Sequence, residues 1–306
     1  MGTPVFAVPS LKALVSDNQF EVLAIVTQPD KRSGRGQNET SSPIKQIGLE
    51  NNIPVFTPSN VKNDPEFLNQ LKDLNPDVIV VVAYGKILPQ LVLDIPKFGI
   101  VNVHASLLPK YRGASPITAA ILNGDKTTGV TLMKMDLAMD TGPIIATSEE
   151  VAIEPEDTTL SLSDKLADVG ADLLIEYLPK YLTQEITPLR QNDLEATYVK
   201  TIQKADGRIN WQEDAETLAR KIRGYHPWPG SFTNFNEKVI KILQVEVLPE
   251  NPAAPGVVWI TSDKYPAVAT SKGSLKIVRL QLPGKGTVAG NDLLLGHSTF
   301  IGTILS

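Results

Sequence analysis

The sequence contains no cysteine among its 306 residues. Disulfides, zinc sites built on thiolates and cysteine nucleophiles are therefore excluded. Histidine is scarce as well, with three in the chain, and three scattered imidazoles without cysteine do not form a metal-binding pattern. The absence of cysteine fits a reducing compartment. We therefore expect a cytoplasmic protein that uses no metal.

Long apolar runs are also missing. No uninterrupted apolar stretch is long enough to span a bilayer, and no secretory or transit peptide is recognisable at the start of the sequence. The chain has no Walker-type phosphate loop, no Gly-x-Gly-x-x-Gly fingerprint and no Gly-x-Ser-x-Gly elbow. These absences argue against a membrane protein, a nucleotide-binding enzyme of the common types and a serine hydrolase.

The balance of charge gives no strong indication of a partner. The net charge is −5, from 29 basic and 34 acidic residues. From Asp206 onward there are 11 basic and 9 acidic residues, a net charge of +2, which leaves −7 for the rest of the chain. The tail is only mildly basic, so charge alone does not predict binding to RNA.

The first part of the chain alternates short apolar runs with helical patterns, which predicts a parallel α/β sheet. Helices are expected to begin at Pro65 and Pro116, and a long helix is expected at about Ser161–Leu178. An antiparallel pair of strands is expected on either side of a loop that contains Asp140. The predicted strands are Val22–Val26, Asp77–Ala83, Ile100–His104, Gly129–Met135 and Pro143–Ser148.

The second part of the chain has a different pattern. A polar stretch without a clean period precedes it, and a helix is expected at about Glu213–Arg223. Short strands with Gly and Pro between them then follow, which is typical of a small barrel. They are Ser231–Phe235, Val239–Val247, Gly256–Ile260, Ala267–Thr270 and Ser274–Leu282. We therefore predict a first domain at residues 1–182, a linker at 183–204 and a barrel domain at 205–306.

The most informative residues follow the strand Ile100–His104. Side chains alternate along a strand, so Asn102 and His104 point to the same side where the strand ends. Ligands bind at the carboxyl ends of strands in open α/β sheets. A carboxylate from the later loop, Asp140, would complete a polar trio. On the residues alone, His104 could be structural and Asp140 could be a simple turn former.

Two motifs carry a resemblance to a known family. Residues 102–113 read Asn-Val-His-Ala-Ser-Leu-Leu-Pro-Lys-Tyr-Arg-Gly, and residues 135–142 read Met-Asp-Leu-Ala-Met-Asp-Thr-Gly. They resemble the folate-dependent formyltransferases. Further similarity at residues 27–36, 82–85, 208–211, 227–229 and 255–258 extends over nearly the whole chain. It favours the members of the family that act on an initiator tRNA.

The resemblance implies a fold and an activity. The fold would be a doubly wound, mostly parallel Rossmann-like sheet followed by a small OB-like β-barrel that binds tRNA. The enzyme would be a cytoplasmic monomer without a membrane partner. It would transfer a formyl group from 10-formyltetrahydrofolate to the α-amino group of methionine on initiator methionyl-tRNA.

The start of the chain departs from the family. The chain begins Met1-Gly2-Thr3-Pro4, whereas the family has a β-strand that runs into Gly-Thr-Pro. This first strand is missing from the predicted sheet. Either the given sequence starts too late or the protein tolerates a gap, and the gap is less favourable because it leaves backbone groups unpaired. We therefore expect an apolar run of about five residues to be encoded upstream of Met1.

The resemblance also assigns roles to the polar trio. Formyl transfer needs a hydrogen-bond donor for the developing oxyanion and a group that moves a proton near neutral pH. Asn102, His104 and Asp140 align with the family's catalytic residues. Asn102 would donate to the oxyanion, His104 would shuttle the proton, and Asp140 would hold one tautomer of His104 or position a water beside it. Ala138 stands where the family usually has Gly, which predicts a change in the loop backbone.

The remaining contacts follow from the same resemblance. The folate would bind against Val82, Tyr84, Gly85, Ile87, Leu88, Ser106, Leu107, Leu108 and Pro109. The tRNA would contact Arg35, Lys31, Arg32 and Lys204, with Arg220, Lys221, Arg223 and Lys241 as further candidates for phosphate contacts. Two alternatives stay open. One is a relative that formylates a nucleotide-sugar amine or hydrolyses formyl-folate, and the other is a catalytically silent tRNA-binding relative.

Overall fold

The computed structural model describes residues 1–33 and 38–306. The chain forms two compact units, each assembled from more than one segment. The first unit contains Met1–Pro116, Thr127–Ala152 and Ser163–Lys200. The second contains Ile117–Lys126, Ile153–Leu162 and Thr201–Ser306. Most of the predicted linker, 183–204, lies in the first unit and contacts the candidate site described below.

The helices begin where the sequence offers capping groups. The Asp64 carboxylate accepts a hydrogen bond from the backbone N–H of Phe67 at 3.0 Å, and Pro65 occupies the first helical position. The helix that is expected to begin at Pro116 does so, and Gly124, with φ +73°, follows its last residue. The helices are α1 Val8–Ser16, α2 Pro43–Glu50, α3 Pro65–Asp73, α4 Gln90–Leu93, α5 Pro116–Asn123, α6 Thr159–Leu182, α7 Ala215–Gly224 and α8 Gly290–Gly296.

The strands are mostly short, and the long ones lie in the second unit. Those of the first unit are β1 Ile25–Val26, β2 Lys31–Ser33, β3 Asn38–Thr40, β4 Val55–Phe56, β5 Ile79–Val81, β6 Ile100–His104, β7 Arg112–Gly113, β8 Thr127–Thr128, β9 Thr131–Lys134, β10 Ile144–Thr147, β11 Val151–Ala152 and β12 Tyr198–Val199. Those of the second unit are β13 Ser231–Phe235, β14 Lys238–Leu248, β15 Val258–Ile260, β16 Pro266–Ala269, β17 Ser274–Gln281 and β18 Thr287–Ala289.

The sheet of the first unit is built around β6. Strand β5 pairs with β6 in parallel, with Val81 opposite Asn102, and β1 pairs with β4 in parallel. On the other side of β6, β9 is antiparallel, with His104 opposite Thr131, and β10 continues the sheet. Helices α3 and α4 pack against β5 and β6 through a cluster of buried apolar residues. The predicted α/β fold with a mostly parallel sheet is confirmed.

Met1 and Gly2 lie between β1 and β5. The α-amino group of Met1 donates to the Val80 carbonyl at 2.5 Å, and the Met1 carbonyl accepts from the Val82 N–H at 2.9 Å. On the other side, the Gly2 N–H donates to the Val26 carbonyl at 3.0 Å. A cavity of about 420 Å³ continues beside them, lined by the segments that lead into β1 and β5 and by α1 and α6. An apolar run upstream of Met1 stays a prediction.

The second unit is an antiparallel sheet in the order β13-β14-β17-β16-β15, with β18 paired to β17. Register shifts in β14 near Gln244 bend the long strand. Helix α7 packs its buried face, Leu218 and Ile222, into the core of this sheet beside Trp211. The predicted small β domain is confirmed, with a curled antiparallel sheet that forms a half-barrel. Among residues 1–33 and 38–306, none of the helices is long and apolar enough to cross a bilayer.

Candidate active site

The structure brings together the three polar residues that the sequence analysis singles out. Asn102 and His104 are buried near the carboxyl end of β6, with 9% and 5% of their surface exposed. The Asn102 side-chain Nδ2 donates to Asp140 Oδ1 at 3.5 Å. His104 Nδ1 lies 3.7 Å from Asp140 Oδ2. Both β6 side chains therefore face the same carboxylate, as the alternation along the strand predicts.

The tautomer of His104 is fixed by a backbone carbonyl. His104 Nε2 lies 3.1 Å from the Tyr111 carbonyl oxygen, which can only accept, so Nε2 carries a hydrogen. Nδ1 is then the nitrogen that is free to gain a proton, and it faces Asp140 at a distance too long for a hydrogen bond. The family resemblance implies that Asp140 orients His104. In the structure, the Tyr111 carbonyl performs this role and Asp140 faces the basic nitrogen.

Burial controls the charge of His104. It lowers the pKa of the imidazole below 6.5, although the Asp140 carboxylate and the Tyr111 carbonyl act in the opposite direction. The ring is therefore neutral at neutral pH and can accept a proton. A neighbouring carboxylate stabilises the imidazolium once it forms. This arrangement suits a general base that becomes charged during a reaction.

Both the side chain and the backbone carbonyl of Asp140 accept hydrogen bonds. Its Oδ2 accepts a hydrogen bond from the Gly113 N–H at 2.8 Å. Its backbone has φ 53°, in the left-handed region, and its carbonyl accepts from the Gln191 side chain at 2.9 Å. The positive φ of this loop falls on Asp140 and not on Ala138, so the loop does not need Gly at position 138.

The sequence motifs do not reveal the residues that lie behind this loop. The Arg112 guanidinium is 1% exposed, and it donates to Gln191 Oε1 at 2.9 Å, Tyr198 Oη at 2.9 Å and Asp193 Oδ1 at 2.8 Å. Strand β12, which contains Tyr198, pairs in parallel with β7. These partners lie in the polar stretch without periodicity that the sequence analysis interprets as a linker. An arginine in the Tyr-Arg-Gly motif is the one available signal, because such a charge needs partners when it is buried.

The predicted folate-binding residues fall into two groups. Val82, Tyr84, Leu88, Ser106 and Leu108 are buried, whereas Gly85, Ile87, Leu107 and Pro109 are partly or largely exposed. They follow the carboxyl ends of β5 and β6, which are parallel neighbours, so both segments lie at the same edge of the sheet as the trio.

The buried residues support the turns at this edge of the sheet through their hydrogen bonds. The Ser106 hydroxyl donates to the Lys110 carbonyl at 2.6 Å, so it braces the turn, as a capping residue would. The Tyr84 carbonyl accepts from Gln28 Nε2 at 2.8 Å. The Tyr84 hydroxyl is buried and has no hydrogen-bond partner among the described residues, and burial raises its pKa to about 12. In the other group, Ile87 has 86% of its surface exposed.

The four basic residues predicted to contact tRNA lie in different parts of the chain, and one of them is outside the described residues. Arg35 lies outside the described residues. Lys31 and Arg32 belong to β2, which pairs with β3. Lys204 is exposed at the start of a short 3-10 turn in the second unit. A role of these four residues in binding RNA stays a prediction.

Some of the further phosphate candidates are engaged within the second unit. Arg220 Nε donates to the Leu122 carbonyl at 3.3 Å, and Arg223 Nη1 donates to the Asp157 carbonyl at 2.8 Å. Lys221 Nζ forms an ion pair with Glu213 at 2.5 Å. Lys241 is exposed. The contacts of the first three residues connect segments of this unit, and a role of all four residues in binding RNA stays a prediction.

Comparison with known proteins identifies the family. Residues 1–178 match the Formyl transferase family, and residues 201–298 match the family described as Formyl transferase, C-terminal domain. The two matches together cover most of the chain. The chain therefore belongs to the formyl transferase family, and the resemblance seen in the sequence motifs is confirmed.

Relatives that match the whole chain are named for one activity within this family. The chain is 46% identical over 306 residues to a methionyl-tRNA formyltransferase from Caldanaerobacter subterraneus subsp. tengcongensis, covering 100% of this chain and 98% of that protein. It is 44% identical to the enzyme of the same name from Clostridium novyi, with the same coverage.

A solved structure confirms the fold. It is an N-formyltransferase from Helicobacter canadensis in complex with folinic acid and dTDP-3-aminofucose. It superposes with a TM-score of 0.65 at 20% identity, covering 92% of this chain and 96% of that one. The same architecture therefore occurs in that N-formyltransferase.

Proposed function

We propose that this chain transfers a formyl group from 10-formyltetrahydrofolate to the α-amino group of methionine on initiator methionyl-tRNA, for translation initiation. Relatives named for this activity match the chain from end to end. The observation that carries the chemistry is the arrangement of His104, whose Nδ1 faces the Asp140 carboxylate while Nε2 is held by the Tyr111 carbonyl. Such a histidine can take a proton from an attacking amine.

The edge of the sheet fits a folate. The pterin ring is flat, with apolar faces and hydrogen-bonding edges, and sites for such ligands combine apolar surface with a few polar groups. Ile87 and Leu107 offer apolar surface at this edge, and the buried Tyr84 hydroxyl has no hydrogen-bond partner among the described residues. When bound, 10-formyltetrahydrofolate supplies the formyl carbon and a nitrogen leaving group.

The protein residues act on the oxygen and the proton. When the amine attacks the formyl carbon, negative charge grows on the formyl oxygen, and Asn102 Nδ2 donates to it. The contact between Asn102 and Asp140 is long, at 3.5 Å, so the amide gives up little when it turns to the oxyanion. A preorganised donor of this kind contributes about 3–4 kcal/mol to lowering the barrier.

His104 moves the proton between the two nitrogens. Nδ1 accepts the proton that the attacking nitrogen loses, and the Asp140 carboxylate stabilises the imidazolium across 3.7 Å. The same nitrogen then returns the proton to the leaving nitrogen. No protein nucleophile is needed, because the substrate amine attacks directly.

We further propose that residues 205–306 help to hold the tRNA while residues 1–182 perform the chemistry, in a monomeric cytoplasmic enzyme. Lys31, Arg32, Arg35 and Lys204 would contact the RNA. Replacing Arg35 by alanine should lower kcat/KM for tRNA far more than it changes the KM for folate, because a cation near a phosphate contributes to RNA binding alone. Lys12→Ala, which removes an exposed cation from α1, is the matched control.

The experiment compares two acceptors. The purified protein is incubated with 10-formyltetrahydrofolate and either charged initiator tRNA or a dTDP-linked amino sugar. Formylation of the tRNA alone is expected. His104→Ala should lower kcat by about 10²–10⁴ and leave folate binding nearly unchanged. Formylation of the sugar without the tRNA, or neither product, would overturn the proposal.

A further inference from the structure

We propose that Gln191 is a positioning residue that holds the Asp140 carboxylate against His104, and that Arg112 fixes the orientation of Gln191. The inference rests on the proposed function of the same site. Both residues lie in the first unit but far from Asp140 in sequence. Arg112 donates to Gln191, and Gln191 donates to the backbone at Asp140 and Gly142. We infer from these bonds that both residues act on the position of Asp140.

The Gln191 side chain binds the backbone carbonyls of the two residues that flank Thr141. Its Nε2 donates to the Asp140 carbonyl at 2.9 Å and to the Gly142 carbonyl at 2.7 Å. Asp140 itself has φ 53°, a conformation that a residue other than Gly adopts only when its surroundings impose it. The two donors of Gln191 supply that constraint. Gln191 is 5% exposed, so water cannot replace these bonds if they are lost.

Arg112 prevents a flip of the Gln191 side-chain amide. Arg112 Nε donates to Gln191 Oε1 at 2.9 Å, so the oxygen of the amide faces a cation and its nitrogen faces two carbonyls. A flipped amide would set its oxygen against the carbonyls and its NH₂ against the guanidinium. Asp193 and Tyr198 hold the guanidinium in place, at 2.8 and 2.9 Å. The amide therefore has one favourable orientation.

The same chain segment also contacts the carboxylate directly. Gly113, which follows Arg112, donates its N–H to Asp140 Oδ2 at 2.8 Å. Arg112 thus fixes the backbone of Asp140 through Gln191, while the next residue fixes its side chain. Together they set the 3.7 Å separation between Asp140 Oδ2 and His104 Nδ1. A displacement of about 1 Å at such a site lowers a rate by roughly 100-fold.

A double-mutant cycle tests whether Gln191 acts through Asp140. Gln191→Met keeps a side chain of similar length without hydrogen bonds, and it is combined with Asp140→Asn. Single-turnover formyl transfer to charged tRNA is measured for the wild type, both single variants and the double variant. We expect Gln191→Met to slow transfer by about 10- to 100-fold alone. In the Asp140→Asn background, we expect less than about a threefold further loss.

The outcomes separate positioning from general stability. Equal losses in both backgrounds would overturn the proposal, since a residue that only supports the fold acts independently of Asp140. Gln70→Met, the same change at an exposed position of α3, should leave transfer unchanged. If Gln191→Met does not fold, Gln191→Glu takes its place, because it retains the acceptor for Arg112 and lacks the N–H groups. The same pattern is expected for it.

Hydrogen exchange at the Gly113 amide provides a readout that does not depend on activity. Loss of Gln191 should release Asp140 and speed exchange at Gly113, while the amides of β6 keep their protection. Unchanged exchange at Gly113 would overturn the proposal. A wild-type protein that formylates no tRNA, yet shows the faster Gly113 exchange in the variant, would refute the proposed function and leave the positioning contact established.

Discussion

Replacing Asp140 by asparagine tests the electrostatic part of the mechanism. The change removes one charge and keeps the shape, and the amide oxygen of the new side chain could still accept from the Gly113 N–H. Asp140 Oδ2 lies 3.7 Å from His104 Nδ1. An imidazolium and a carboxylate at this distance attract each other by about 1 kcal/mol in water and about 4 kcal/mol at an effective dielectric constant near 20. The side chains are 6% and 15% exposed, which favours the larger value.

The loss in rate follows from this attraction. If the imidazolium forms during the transfer, losing about 1–4 kcal/mol of stabilisation slows the reaction by roughly 5- to 1,000-fold. The assay is single-turnover formylation of charged initiator tRNA, measured over a range of pH. The negative charge of Asp140 raises the pKa of His104, so its removal lowers that pKa further. Because the neutral ring is the base, the acidic limb of the rate profile should move to lower pH.

The control removes a charge from the same loop. Asp136 is exposed, and its carboxylate accepts a hydrogen bond from the Thr141 hydroxyl at 2.8 Å. Asp136→Asn should therefore leave both the rate and the pH profile close to those of the wild type. An Asp140→Asn variant with the wild-type rate and an unmoved acidic limb would refute the reasoning, because the imidazolium would then need no carboxylate.

Two further predictions concern stability. Gly113→Ala should lower the free energy of unfolding by about 2–4 kcal/mol in urea titrations, since φ is +120° and the new Cβ would lie 2.3 Å from the Val199 carbonyl oxygen. Gly284→Ala, with φ +70° and open space, should cost only about 1–2 kcal/mol, and equal costs would show that the clash is unimportant. Asp214→Ala removes the cap of α7, which accepts from the Thr217 N–H at 2.9 Å, and should cost about 1 kcal/mol at neutral pH. The bonds to Thr217 lower the pKa of Asp214 below 3.8, so the stability difference should be lost as the pH falls through that lowered pKa. A difference that does not vary with pH would contradict this account.

The sequence predicts well those elements whose side chains alone decide their structure. Strand β6 has the predicted bounds, Ile100–His104, because all five of its residues are buried and a buried strand requires a mostly apolar run. The strand predicted at Val22–Val26 is paired at Ile25–Val26 alone. Residues 22–24 line the cavity beside Met1. Pairing depends on a neighbouring backbone, and the apolar pattern of one segment carries no information about it.

The candidate site likewise contains residues that the sequence predicts and residues that it does not. The alternation of a strand suffices to place Asn102 beside His104, and the family motif suffices to select Asp140. Gln191 could not be found in this manner, because its role depends on contacts with residues about fifty positions earlier in the chain. The role of Tyr111 could not be found at all, since its contribution is a backbone carbonyl that every residue type possesses.

Backbone groups therefore orient most of this site, and the left-handed conformations explain how. Tyr111 has φ 60° and Asp140 has φ 53°, and the carbonyls of these two residues are the ones that bind His104 and Gln191. Such conformations are unfavourable for residues other than Gly, so the surrounding hydrogen bonds must maintain them. A substitution that leaves these backbone angles alone, such as Ala138 in place of Gly, is therefore compatible with the site. A conservative change at Gln191, outside any recognised motif, is expected to damage it.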